Sequence, residues 1–364
     1  MVVKKVLDKN KRGFAVQFNW LFVLLGGAVI LGFFISLITN QIYQEEQKTD
    51  QQAAQELENL LRVSLAAKNT LKTVDFVDKR IRFYCDEISE YYVGEALRST
   101  RYDYNAVFSP TELMGKELVI QTLVFKAPFK VIPLVYITNK DIEYVFVINS
   151  SVIAQIYNAM PGNTTVRAVH NPQDISAYPD NNYERVVFVL DIRNKSGLNN
   201  RLTNFDSGQN SEKVYAVVIN TTNPYYYGNI SFFKYASKQG FVYNGSAPFL
   251  GLELLLGAVI SHDKIIYDCT LRKVLQRLAL LSKLHERRMA YYSAHTHSSC
   301  SSLYTAPGDS AQAYLKDISR YSEEAQHTTA LTPLRNLLIA ITQLKSLNNY
   351  ILTKIKAQSC PLIY

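Results

Sequence analysis

The sequence lacks the short motifs that mark most catalytic sites. It has no G-x-S-x-G elbow, no H-E-x-x-H helix, no P-loop and no G-x-G-x-x-G turn. This leaves no nucleophile elbow, helix-borne zinc site or phosphate-cradling loop to build on. Histidine is scarce, and His170, His262, His285 and His327 stand alone. His295 and His297 lie near Cys300 in AHTHSSC, but a zinc ion there would find no fourth ligand. Asp191 ends an apolar run and reads as the start of a loop. No catalytic residue, cofactor site or metal site is expected. A basic stripe is also missing. The net charge is +8, and half of it sits in the first twelve residues, where Lys4, Lys5, Lys9, Lys11 and Arg12 face only Asp8. A nucleic-acid footprint needs Lys and Arg clustered on one face, so nucleic acid is not an expected partner.

One long charge-free apolar run is present, and no second one of its length. Trp20 to Thr39 reads WLFVLLGGAVILGFFISLIT. About 20 such residues make a helix that crosses the roughly 30 Å hydrocarbon core of a bilayer. Lys and Arg stay on the cytoplasmic side. The basic leader (1–17) is therefore expected inside, the transmembrane helix at 18–40, and everything after it outside. A cleaved signal would have a shorter core followed by a small-residue cleavage site. Ala28, Gly32 and Ser36 recur every fourth residue, a spacing that allows two such helices to approach and self-associate. The helix is expected to continue as a stalk over 41–76, where Ala53, Leu57, Leu60, Ser64, Ala67, Leu71 and Val74 keep a heptad spacing.

The rest, about 320 residues, suffices for one large domain or two modest ones of roughly 100–200 residues. Residues 77–269 read as a mixed α/β domain. Ser109-Pro110-Thr111-Glu112 has the form of a helix start. Strands are expected at 117–125, 131–138, 142–148, 185–192, 214–219 and 230–235, and short helices at 151–160 and 249–260. VVFVLDI and VYAVVI are nearly unbroken apolar runs, as in a sheet covered by helices on both faces. Six N-x-Ser/Thr sequons fall here, at Asn149, Asn163, Asn194, Asn220, Asn229 and Asn244. They are candidate glycosylation sites in an outward-facing segment, Asn194 foremost, in the polar stretch 194–212.

Residues 270–364 read as antiparallel amphipathic helices, near 270–292, 310–325 and 332–357. The stalk is a possible fourth member. Four cysteines allow three pairings. Cys300 falls between the first two of these helices and Cys360 just past the third, at the same end of an up-down-up arrangement. Cys85 follows the stalk and Cys269 opens the first C-terminal helix. The expected disulfides are Cys300–Cys360 and Cys85–Cys269, in a compartment that permits them.

Lys11-Arg12-Gly13-Phe14 before a long apolar helix resembles the leader of type IV prepilins. It departs from that pattern in Gln17 and Asn19, which interrupt the apolar run, and in Phe18, where pilins often carry Glu. Over its whole length the chain resembles uncharacterised single-pass envelope proteins of small-genome archaea. The resemblance rests on KRGFAVQFNWLFVLLGGAVIL, on VFSPTELMGKELVIQTLVFKAPFKV and on the Cys-bearing C-terminal helices. It implies surface localisation and sequon use, and no activity. The expected role is binding, surface contact or envelope structure, with the lipid bilayer and an extracellular protein or glycan as partners. Tyr225–Tyr227 or Tyr291–Tyr292 would form an exposed aromatic patch. The alternatives are a pilin-like filament or secretion component, and a membrane-anchored enzyme of glycosyltransferase-like topology. Many such enzymes use Asp-x-Asp, which is absent here, so that enzyme would be metal-independent.

Overall fold

A computed structural model describes residues 3–66, 69–76, 78–85, 89–94, 99–102, 106–171, 183–191, 211–220, 227–296, 298–328, 330–354 and 360–364. Two compact units divide the chain, Met1–Ala53 and Ala54–Tyr364. Helix α1 (Val3–Ala66) makes up the first and opens the second. Every residue from Trp20 to Glu46 is exposed. Among the described residues this is the one helix long and apolar enough to cross a membrane.

The second unit continues with strands β1 (Thr70–Asp75), β2 (Ile81–Cys85), β3 (Ser89–Val93), β4 (Thr100–Arg101), β5 (Ala106–Phe108), β6 (Glu112–Leu113), β7 (Glu117–Lys126), β8 (Lys130–Asn139) and β9 (Ile142–Val147). Helix α2 (Ser151–Ala159) leads to β10 (Thr165–Val169), β11 (Arg185–Asp191), β12 (Val214–Asn220), β13 (Tyr227–Ala236) and β14 (Gly240–Leu250). Helices α3 (Gly251–Ser261), α4 (Lys264–His295), α5 (Ser298–Thr305), α6 (Ala311–Ala325) and α7 (Leu331–Lys354) complete it.

The fold is mixed α/β, with three sheets among the described residues. The largest has the order β10-β9-β11-β12-β13-β14. Its first four strands are parallel and its last two antiparallel. The chain leaves β9 for β10 on one side, then crosses to β11 on the other. The nearly unbroken apolar runs of β11 and β12, and β9 beside them, are buried on both faces. One face carries Val145, Phe188, Leu190, Ala216 and Phe233. On the other, Phe146 meets Tyr157 of α2 edge to face, and Phe232 meets Tyr267 of α4. A second sheet has the order β1-β7-β8-β5, and a third β4-β3-β2-β6.

Helix α4 ties these layers together. Asp263 caps it, its Oδ1 accepting from Ile265 N at 2.8 Å. Its buried hydroxyls close onto backbone carbonyls. Tyr267 donates to Pro248 O at 3.0 Å and Thr270 to Val107 O at 2.7 Å. Helix α3 lies so close to β5 that a Cβ on Gly257 would stand 2.7 Å from the Phe108 ring. The glycine admits the aromatic.

Three expectations give way. The stalk helix ends by Ala66, and Leu71 and Val74 lie on β1, paired with β7 from Thr70↔Thr122 to Asp75↔Glu117. Their spacing of three suits a helix face, whereas Thr70, Thr73 and Val74 are residue types that strands favour, and pairing with the edge of β7 decides for the strand. Ser109-Pro110-Thr111-Glu112 starts no helix. Gly115 follows at φ +150°, with Asp141 Oδ2 2.8 Å from where its Cβ would be, and the chain turns straight into β7. Cys300 sits on the short helix α5 rather than in a loop. On the stalk, Tyr91 of β3 donates to Ala54 O at 2.9 Å, and Ala53, Leu57 and Leu61 are buried.

Candidate functional site

The cysteines form two disulfides, Cys85–Cys269 and Cys300–Cys360. The first joins the end of β2 to the second turn of α4. The second fixes the tail beyond α7 to α5. Around it Tyr304 donates to Pro361 O at 2.6 Å and Ile363 N donates to Asn348 Oδ1 at 3.0 Å, so the tail is held by side chains from two helices.

The sequons divide by exposure. Asn149, Asn163 and Asn244 are exposed; Asn220 and Asn229 are half-buried and face each other across β12 and β13. Asn194 lies outside the described residues. Asn149 Nδ2 donates to Asp191 O at 2.9 Å, and Asn163 Nδ2 donates to Thr73 Oγ1. A glycosylated amide keeps one N–H, so such a bond survives modification where it uses the hydrogen that remains. Asn229 has its Oδ1 buried. In a host that glycosylates Asn, glycopeptide mass spectrometry is expected to find sugar on Asn149, Asn163 and Asn244 and none on Asn229.

Ala28, Gly32 and Ser36 lie on the exposed part of α1, and nothing is within 4 Å of a Cβ built on Gly32. Tyr291 is exposed and stacks on His295 at 4.1 Å. Tyr227 is buried because it opens β13 opposite Leu250, so it offers no patch; Tyr225 and Tyr226 lie outside the described residues. Among the described residues no cluster of His, Cys, Asp and Glu could hold a metal ion.

Two places not foreseen from the sequence gather polar groups. The first is a seam at the amino end of the parallel strands. Arg185, at the start of β11, is nearly buried. Its Nη2 lies 3.8 Å from Glu112 Oε2 and 3.7 Å from Glu184 Oε1. Glu112 also meets Arg80 at 3.1 Å and Arg82 at 3.4 Å, so one carboxylate joins the β2–β6 layer to the six-stranded sheet. Glu184 Oε2 accepts from Met114 N at 3.2 Å and from Asn139 Nδ2 at 3.1 Å. His262 closes the seam. It is fully buried in the turn between α3 and α4, at φ +39°, with its ring 4.7 Å from Tyr215. Its Nδ1 faces Ile260 O at 3.1 Å and its Nε2 faces Arg185 Nη1 at 3.5 Å. A carbonyl can only accept, so Nδ1 carries the proton and Nε2 accepts from Arg185.

Burial, and then the Arg185 charge, hold the His262 pKa well below its ordinary value. Burial raises Glu184, against the pull of Arg185. For His262 the linkage is direct. Above about pH 6.5 folded and unfolded chains both carry neutral imidazole. Below it the unfolded chain takes up a proton that the native seam refuses, so stability falls, by at most ~1.4 kcal/mol per pH unit. His285, lowered by burial and by Arg288, acts in the same sense. Glu184, Glu143 and Asp268, all raised by burial, act oppositely at lower pH, because the native state holds their protons more tightly. Thermal unfolding is therefore expected to shift downward between about pH 7 and about pH 5, with His262→Gln showing a shallower slope over that window.

The second place is a cleft of about 380 Å³ lined by Asn69, Leu123, Val124, Lys126, Lys130 and Glu253. Lys126 and Lys130 bracket the β7–β8 turn, where Ala127 N donates to Phe129 O at 2.9 Å and the Ala127–Pro128 peptide is cis. Glu253 stands in the first turn of α3, and its carbonyl accepts from Tyr136 Oη at 2.8 Å. The seam is nearly filled by its own side chains and serves as a joint. The cleft is open and cationic by one charge, two lysines against one glutamate, and suits binding. The lysines were visible in FKAPFK, a Pro turn between two apolar runs; that they flank a cleft was not.

Comparison of the chain with protein-family models, curated proteins and solved structures found no match. Its own architecture defines it as a mixed α/β protein with one N-terminal apolar helix and two disulfides.

Proposed function

We propose that this is a single-pass membrane protein whose disulfide-bonded domain works outside the cytoplasm in binding, surface contact or envelope structure. The observation that carries the reading is the exposure of every residue from Trp20 to Glu46, across an apolar stretch that water would not tolerate uncovered. A bilayer satisfies it. The pairing of all four cysteines supports an oxidising compartment for the rest of the chain. The basic leader supports a cytoplasmic N-terminus.

The test is protease treatment of intact cells carrying an N-terminal epitope tag, together with carbonate extraction of their membranes. The expected result is loss of the domain, retention of a tagged fragment and resistance to extraction. A domain protected in intact cells, or a chain released by carbonate, would overturn the reading.

A further inference from the structure

We propose that the cleft beside β7 captures an extended acidic peptide, which adds as a strand to the free edge of the β1-β7-β8-β5 sheet. This deepens the reading of the domain as a binding module, and its test does not depend on membrane topology. Strand β7 is paired unequally on its two sides. Against β8 it is paired from Leu118 to Lys126. Against β1 it is paired only from Glu117 to Thr122, because β1 begins at Thr70. Asn69, just before, adopts φ +51°, a left-handed conformation that ends the line of the strand there. Among the described residues no strand continues beside Leu123–Lys126. The cleft lies along this edge.

An unpaired edge is a template for another chain, and proteins usually blunt it with lysine. Here the lysines are arranged unusually for that purpose alone. Lys126 and Lys130 are register partners directly across the hairpin, both exposed, and among the described residues neither is in an ion pair, although Glu253 lines the same cleft. Like charges directly opposite destabilise a strand pair. A carboxylate bound between them would relieve that repulsion. Leu123 and Val124, on opposite faces of the strand, both add half-buried apolar surface to the lining of the cleft. Four open positions at about 3.3 Å each accommodate a short strand. Main-chain hydrogen bonds would provide affinity and the lysine pair selectivity, which is strand addition in its ordinary form.

The test uses the full chain in non-ionic detergent and fluorescence anisotropy with labelled hexapeptides of alternating Glu and Val. Controls replace Glu by Lys, or N-methylate alternate amides to remove the strand's donors. The acidic peptide is expected to bind about tenfold or more tighter than the basic one, since like-charge juxtaposition is strongly disfavoured. N-methylation is expected to abolish binding. Lys126→Glu combined with Lys130→Glu, both at exposed positions, is expected to reverse the preference. Equal binding of acidic and basic peptides, indifference to N-methylation, or an acidic preference that survives charge reversal would each overturn the proposal. So would lysine-to-alanine variants that self-associate while the parent binds no peptide, which would make the pair a guard only. If the charge-reversed chain fails to fold, the three peptides on the unmodified chain still decide.

Discussion

Replacing Cys85 and Cys269 together by alanine is expected to cost the domain about 4 kcal/mol of stability. The two residues are 184 positions apart. A cross-link that closes so long a loop removes more chain entropy from the unfolded state than the usual 2–4 kcal/mol, and the loop-entropy relation places the upper limit near 5. With unfolding entropy of about 2.1 cal/mol/K per residue, 4 kcal/mol over the Ala54–Tyr364 unit lowers the Tm by roughly 6 °C. The loss should be concentrated where the bond acts. Cys85 ends β2, in a small sheet whose outer strands have two residues each, β4 and β6. So small a sheet buries little of its own and depends on attachment. Hydrogen exchange in the double variant is expected to accelerate first in β2 and β3, whereas β9, β11 and β12 stay protected. Removing Cys300 and Cys360 should do less, since that loop is shorter, at 60 positions, and the tail keeps its bonds to Tyr304 and Asn348. Thermal and denaturant unfolding of the two double variants would compare them directly.

The second large effect is expected at Arg185. Its guanidinium is nearly buried and faces Glu112, Glu184 and His262 at once. Arg185→Ala leaves Glu184 with its hydrogen bonds from Met114 N and Asn139 Nδ2 but no countercharge. Removing one member of a buried pair costs about 3–5 kcal/mol. The distances here are long and Glu112 is a third exposed, so about 2–3 kcal/mol is expected, just below that range. Part of the cost is the stranded carboxylate itself. Adding Glu184→Gln to the alanine variant should therefore recover stability, although Glu184→Gln alone should lose it. A double-mutant cycle from denaturant unfolding would show that coupling. A purely additive cycle would mean that Arg185 acts through packing alone.

Much of this protein is legible from local chemistry. The Trp20–Thr39 run needs no tertiary partner to be read, because a lone apolar segment of twenty residues in a bilayer satisfies its own backbone only as a helix. Strands β7, β8, β9, β11, β12 and β13 were readable because their apolar runs are long and β-branched. Cysteine pairing followed from counting helices and asking which ends coincide. What escaped was short or ambiguous. Strands β2 to β6 hold two to five residues each and mix Tyr, Arg and Glu, so they carry no period of their own. Ser109-Pro110-Thr111-Glu112 satisfied the rules for a helix start and lacked only the apolar helical run behind it.

The sequence by itself determined the apolar helix, the mixed α/β class and the set of cysteines free to pair, because each depends on composition or period within one segment. Only the tertiary structure decided where the stalk ends, since the helical spacing of Leu71 and Val74 gives way to pairing with the edge of β7. It also decided that Arg185, Glu112 and His262 meet. They come from a strand start, a two-residue strand and a helix turn up to 150 positions apart, and no local pattern records such a meeting. The unequal pairing of β7 belongs to the same class: among the described residues its pairing with β1 covers Glu117–Thr122, whereas its pairing with β8 runs on to Lys126.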